Sequence, residues 1–209
     1  MFILLIFVGI LPRAQAASAE GKPGLLKLGA GAPDFHLTDV VSGQVVSRDD
    51  FAGKKGLLVM FLCRHCPYVQ HVKEGVSELG RDYTGKQIGL VAISANDPNG
   101  FPMDAPEKLK EMVLEEEFSF PFLFDETQEA AKTYTAVATP DFFLFDENRR
   151  LVYRGQFDDS RPGNGKPVTG KDLREAMEAL LVGREISKSQ KPSFGCSIKW
   201  IPGKEPVYL

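Results

Sequence analysis

With 209 residues, 43% of them hydrophobic and 25% charged, the chain has the length and composition of one soluble globular domain with trimmings. A formal charge of −3 argues against a nucleic-acid partner and offers no basic patch to a membrane surface. Three cysteines are too few for a disulfide scaffold, and their odd number leaves at least one outside any intrachain pair.

The chain opens on a ten-residue apolar run, Phe2 to Leu11, which is too short to span a bilayer comfortably. Ala14-Gln15-Ala16 then supplies a small-x-small cleavage pattern, so residues 1–16 read as a signal peptide of an exported protein, periplasmic or secreted. No Lys or Arg precedes the apolar run, and the alternative is an uncleaved membrane anchor. Residues 17–28 read as a linker, 29–186 as one α/β domain and 187–209 as a tail.

Within the domain, Phe35 and Leu37 fall on one face of a hairpin that turns at Ser42-Gly43. Leu57 to Leu62 is an unbroken apolar run, the mark of a strand buried on both faces. Cys63 and Cys66 follow. After Pro67 the period changes: Val69, Val72, Val76, Leu79 and Tyr83 lie on one face of a helix. Pro67 suits the first helical position, where its missing N–H would have had no partner. Cys66 therefore caps a helix that begins where a buried strand ends. The free N–H groups and positive dipole end favour its thiolate, so its pKa should fall.

Ile88 to Ser94 is a second buried strand, and the strand–helix–strand order implies a parallel pair. A loop over 96–105, a helix over Glu107–Phe118 and a strand over Phe120–Phe124 come next. Asp125 is placed to cap a short helix whose inner face is Ala130, Ala131 and Tyr134. Pro140 stands at the entrance of a strand that turns at Asp146–Arg149 and returns over Leu151–Arg154. A polar loop over 158–165 leads to a last helix, Thr169–Val182, stopped by Gly183.

This order, with cysteines at the strand-to-helix step, resembles the thioredoxin fold: a central mixed sheet flanked by helices, here with an N-terminal β-hairpin extension. The segments APDFHL (32–37), FAGKKGLLVMF (51–61), CPYV (66–69), FPFLFD (120–125) and TPDFFLFDENRRLVYRG (139–155) resemble its redoxin branch, the alkyl hydroperoxide reductase/thiol-specific antioxidant family. The string CRHCPYV with DDSRPGN resembles a less described subgroup of that family. The resemblance puts the nucleophile at Cys66. Val69 then stands where thioredoxins keep their second cysteine, and Met60 replaces their buried carboxylate. Against the peroxidase motif P-x-x-x-T-x-x-C, Val59 and Cys63 replace the helper proline and threonine. Cys63 becomes the candidate resolving thiol. Pro140 matches the fold's cis-proline, and Thr139 and Pro140, with Tyr68 and Pro67, form the expected substrate-binding rim.

Arg64 and His65 are candidate modulators of the thiols, His65 as a positive neighbour. The reading is a thiol–disulfide oxidoreductase that needs no organic cofactor and no metal. Its partners are a protein or small-molecule disulfide, or a peroxide, together with a reducing thiol. The alternatives are a peroxiredoxin-like peroxidase, an idle binding module, and a copper chaperone using Cys63, His65, Cys66 and His71. Asp158, Asp159 and Arg161 read as a solvated loop, the alternative being a loop ordered near the site; Cys196 reads as an inert thiol in the tail, the alternative being a thiol that resolves a disulfide with Cys66. N-terminal sequencing of protein from its native host should find a chain starting at Ala17; a cytoplasmic product retaining Met1 removes the export reading.

Overall fold

Strand β3 (Gly56–Phe61) is buried along its whole length, and its two neighbours explain why. In the computed structural model, which describes residues 24–209, β3 lies between parallel β4 (Ile88–Ser94) and antiparallel β7 (Asp141–Asp146). The segment read as a signal peptide and the start of the linker, residues 1–23, lie outside the described residues. Helix α1 (Pro67–Tyr83) makes the crossover from β3 to β4. Among the described residues the sheet has seven strands. Beyond β4 come β5 (Phe122–Phe124), β1 (His36–Asp39) and β2 (Val45–Ser47); beyond β7 comes β8 (Leu151–Gly155). The β1–β2 hairpin thus extends the sheet on the β5 side, antiparallel to it. Gly43 takes φ +72 at the turn, and Asp39 Oδ2 accepts from the Ser42 N–H at 3.0 Å.

The alternation of side chains along β3 divides the core. Leu58 and Met60 join the apolar cluster formed with α1, α2 (Pro106–Glu115) and α4 (Lys171–Leu181). Leu57, Val59 and Phe61 point to the other face, against Ala131 of α3 (Glu129–Thr133), Tyr134 and Phe143. Phe61, Tyr134 and Phe143 meet edge-on or tilted, with ring centroids 5.6–5.8 Å apart.

Helix α2 ends three residues before the sequence pattern does. Glu117 adopts φ +54, and the Phe118 N–H turns back to the Val113 carbonyl at 3.1 Å. That frees Phe118 to stack with Phe120 and Phe122. The N-cap position of α3 is Gln128 rather than Asp125, but Asp125 Oδ2 accepts the Ala131 N–H of its first turn at 2.8 Å. The 158–165 loop is more than a solvated turn. Asp158 is buried and accepts the N–H groups of Ser160, Thr169 and Gly170, which sets the start of α4.

Residues 187–209 lie against the domain. Cys196–Ser197 form β9, which pairs antiparallel with β6 (Ala138–Thr139) in a second, two-stranded sheet. Ile198 is buried, and Trp200 packs on the α3 side. Phe143→Ala, at the centre of the sheet, should cost about 3–5 kcal/mol, read as a lower denaturation midpoint in urea with an unchanged slope.

Candidate active site

Phe61 ends β3, and Leu62 still pairs with the Ile93 carbonyl at 3.0 Å. Cys63, Arg64 and His65 then turn the chain into α1, where Cys66 is the N-cap and Pro67 the first helical residue. Cys66 has extended backbone angles, φ −71 and ψ 123, as an N-cap requires. The Thr139–Pro140 peptide bond is cis, and Thr139 faces both cysteines. Its carbonyl oxygen lies 3.2 Å from Cys66 Sγ, and its hydroxyl lies 3.1 Å from Cys63 Sγ. Strand β9 approaches from the other side in the register Thr139↔Cys196.

Cys66 Sγ therefore sits between two other thiols. Cys63 S–H donates to it first, then Cys196 S–H, and the backbone N–H groups of Val69 and Cys196 also point at it. Those donors outweigh burial and hold the Cys66 pKa well below the ordinary thiol range. Cys63 moves the opposite way. Burial pushes its thiol up, donation to Cys66 adds to this, and the negative Asp104 nearby adds again. Cys196 is also raised, first by burial and then by donating to Cys66. One sulfur of the three is ionised and the other two protect its charge. As a thiol Cys66 donates to the Thr139 carbonyl; as a thiolate it gives up that one bond and accepts several.

Arg64 and His65 face away from the sulfur of Cys66. The Arg64 guanidinium meets Glu111 at 3.0 Å, Glu115 at 3.1 Å and the Lys108 carbonyl, all on or beside α2. The His65 ring pairs with Asp104 and packs on Phe101, with centroids 4.8 Å apart. Asp104 is fully buried. It accepts the backbone N–H of Arg64 at 2.7 Å, that of His65 at 3.0 Å, and Asn96 Nδ2 at 2.9 Å. These two residues act on the turn that carries the cysteines, and sequence reasoning missed the carboxylate that grips it. Its only signal was an acid in a proline-rich loop.

Of the residues drawn as a copper set, Cys63 and His65 converge with Asp104, and His71 turns elsewhere. His71 Nε2 engages Ser160 Oγ at 2.6 Å. Among the described residues, Cys63, His65 and Asp104 place one ligand atom each within 4.8 Å of one another. Tyr68 meets Phe194 of the tail edge-on, with ring centroids 5.3 Å apart. Arg161 lies over the same Phe194 ring. With Pro140 and Phe157 these side chains line a small hollow.

Residues 28–154 match the AhpC/TSA family. The chain is 26% identical over 181 residues to the thiol-disulfide oxidoreductase ResA of Bacillus cereus, covering 87% of this chain and 92% of the relative. It is similar to the crystal structure of an uncharacterized conserved protein from Geobacillus kaustophilus, with a TM-score of 0.83 and 49% identity over 86% of this chain and 95% of that one. The thioredoxin domain of a Bacteroides vulgatus thiol-disulfide oxidoreductase superposes with a TM-score of 0.55 at 20% identity, over 72% of this chain and 97% of that one, a likeness of fold alone. The fold is that of thioredoxin.

Alkylation of Cys66, followed by peptide mapping, should keep its full rate from neutral pH into the acid range and fall only as the thiolate is protonated. Cys63→Ala removes the leading donor and should raise the midpoint by about one unit or more; Cys63→Ser keeps an O–H there and should raise it less. A wild-type midpoint near the ordinary value of about 8.5 contradicts the donor account.

Proposed function

The chain belongs to the AhpC/TSA family, and we propose that it is a thiol–disulfide oxidoreductase with Cys66 as its nucleophile. The observation that carries this reading is the Cys66 sulfur itself: buried at the mouth of a seventeen-residue helix and supplied with donors by Cys63, Cys196 and Val69. The similarity to a thiol-disulfide oxidoreductase over most of both chains supports it.

The Cys66 thiolate attacks one sulfur of a substrate disulfide. A Cys66–substrate bond forms, the substrate's own S–S bond breaks, and the far sulfur leaves as a thiolate. Cys63 then attacks Cys66 Sγ, its proton passing to the departing group. A Cys63–Cys66 disulfide closes and the second substrate thiol is released. Two electrons have moved from the protein to the substrate, and a reducing thiol partner returns them. The reverse sequence oxidises a dithiol. Thr139 and Pro140 border the nucleophile, with Tyr68 and Pro67 on the helix side, where they contact the incoming disulfide. Arg64 and His65 hold the turn by way of α2 and Asp104.

Peroxide is the less favoured substrate. Val59 and Cys63 stand where peroxidases of the family place proline and threonine, and the Thr139 hydroxyl is engaged with Cys63. The apolar run Phe2–Leu11 and the Ala14-Gln15-Ala16 pattern support export. Among the described residues no helix is long and apolar enough to cross a membrane.

Turnover of a protein disulfide and of hydrogen peroxide, measured side by side, separates the two chemistries. Disulfide turnover should dominate, and Cys66→Ser should lower it by about a thousandfold or more. Faster peroxide turnover that still depends on Cys66 assigns a peroxidase instead.

A further inference from the structure

The third thiol is held too carefully to be incidental. Strand β9 brings Cys196 opposite Thr139, the residue whose carbonyl oxygen lies 3.2 Å from Cys66 Sγ, so the third cysteine borders the nucleophile. The residue before it has to be glycine: a Cβ on Gly195 would lie 2.0 Å from the Thr139 carbonyl oxygen. Both flanks of β9 are tied down. Upstream, the Ser193 hydroxyl lies 2.6 Å from Asp141 Oδ1, and Phe194 packs on Tyr68. Downstream, Lys199 N–H donates to Asn96 Oδ1 at 2.8 Å, its carbonyl accepts from Asp97 N–H at 2.8 Å, and Ile198 is buried.

We propose that Cys196 is a resolving thiol in its own right, closing a Cys66–Cys196 disulfide within one chain. This rests on Cys66 being the nucleophile. Once Cys66 is captured as a mixed disulfide, Cys196 thiolate attacks Cys66 Sγ. The Cys66–Cys196 bond forms, the bond to the captured group breaks, and that group leaves as a thiolate and takes up a proton. Two protein thiols have been oxidised and one disulfide reduced, the same balance as closure by Cys63.

Two asymmetries favour the tail thiol. The first is ionisation. After burial, what raises Cys196 is its bond to Cys66 and the Cys66 charge, and both vanish when Cys66 is captured; Lys199 remains to favour the thiolate. Cys63 keeps its burial and the negative Asp104. The second is access. Cys63 and Cys66 are both fully buried, whereas Cys196 is partly exposed. A disulfide that includes Cys196 presents a sulfur that a reducing thiol can reach. This route serves small disulfides, because a protein strand pairing with Thr139 would displace β9 and carry Cys196 away.

The test is dithiobis-nitrobenzoate on the full chain, with the coloured thiol counted and the links mapped after acid quench. Cys63→Ser should release two equivalents and hold a Cys66–Cys196 link. Cys196→Ser should slow the second release by about tenfold or more, leaving only Cys63 to resolve. In wild type quenched early, the Cys66–Cys196 link should precede Cys63–Cys66. The proposal is overturned if Cys63→Ser stops with Cys66 in the mixed disulfide, if Cys196→Ser resolves as fast as wild type, or if wild type shows only Cys63–Cys66. Loss of the fast first release in Cys66→Ser confirms the nucleophile separately, so that those three outcomes bear on Cys196 alone. A first release that survives that variant overturns the nucleophile assignment and the proposal with it.

Discussion

Thr139 touches all three cysteines at once. Its hydroxyl meets Cys63, its carbonyl oxygen meets Cys66, and its backbone pairs with Cys196. Cys63 and Cys66 belong to the β3–α1 junction, and Cys196 comes from a segment more than a hundred residues later; β6 lies between them. The central sheet fixes this arrangement, because β7 follows Pro140 directly and pairs with β3 in the register Phe61↔Asp141. A slip of one residue would turn every apolar side chain of β7 to the opposite face. The relation of Thr139 to the thiols is therefore as firm as the core.

On the far side of the thiols, Asp104 performs the complementary task. A fully buried carboxylate is costly unless paired, and this one accepts two backbone N–H groups and Asn96 besides its contact with His65. The turn is thus gripped between a carboxylate and a strand edge. The placement also explains why the two basic residues of the turn act indirectly. Arg64 is spent on Glu111 and Glu115, and His65 on Asp104, so the Cys66 thiolate depends on neutral donors.

How far the sequence could be read follows from the range of the interactions. The strand at Leu57–Leu62 and the helix from Pro67 to Tyr83 are local patterns, a run buried on both faces and a repeat of three and four. Both survive in the structure within a residue. The Glu107–Phe118 pattern overran because Phe118 belongs to an aromatic stack that continues into β5, and tertiary packing overrode helical spacing. Asp104 was illegible because its partners lie some forty residues upstream. Cys196 was illegible for a different reason. A two-residue strand has no period, and nothing in GCSIKW reveals that its edge is complementary to Ala138–Thr139.

The donors around Cys66 also bear on the direction of electron flow. They act on a negative sulfur, and a disulfide has none. Each therefore stabilises the reduced protein relative to the oxidised one, which draws electrons toward the pair. The same donors make Cys66 a good leaving group whenever a thiol attacks its partner sulfur. Burial of Cys63 works against closure of the Cys63–Cys66 bond, since Cys63 must lose a proton that its surroundings hold tightly. A site with one stabilised thiolate between two reluctant thiols rests in the reduced state and closes its own disulfide reluctantly. Once closed, that disulfide is given up readily to a thiol that can reach the sulfur. What then limits the exchange is access to a sulfur covered by the chain's own C-terminal strand.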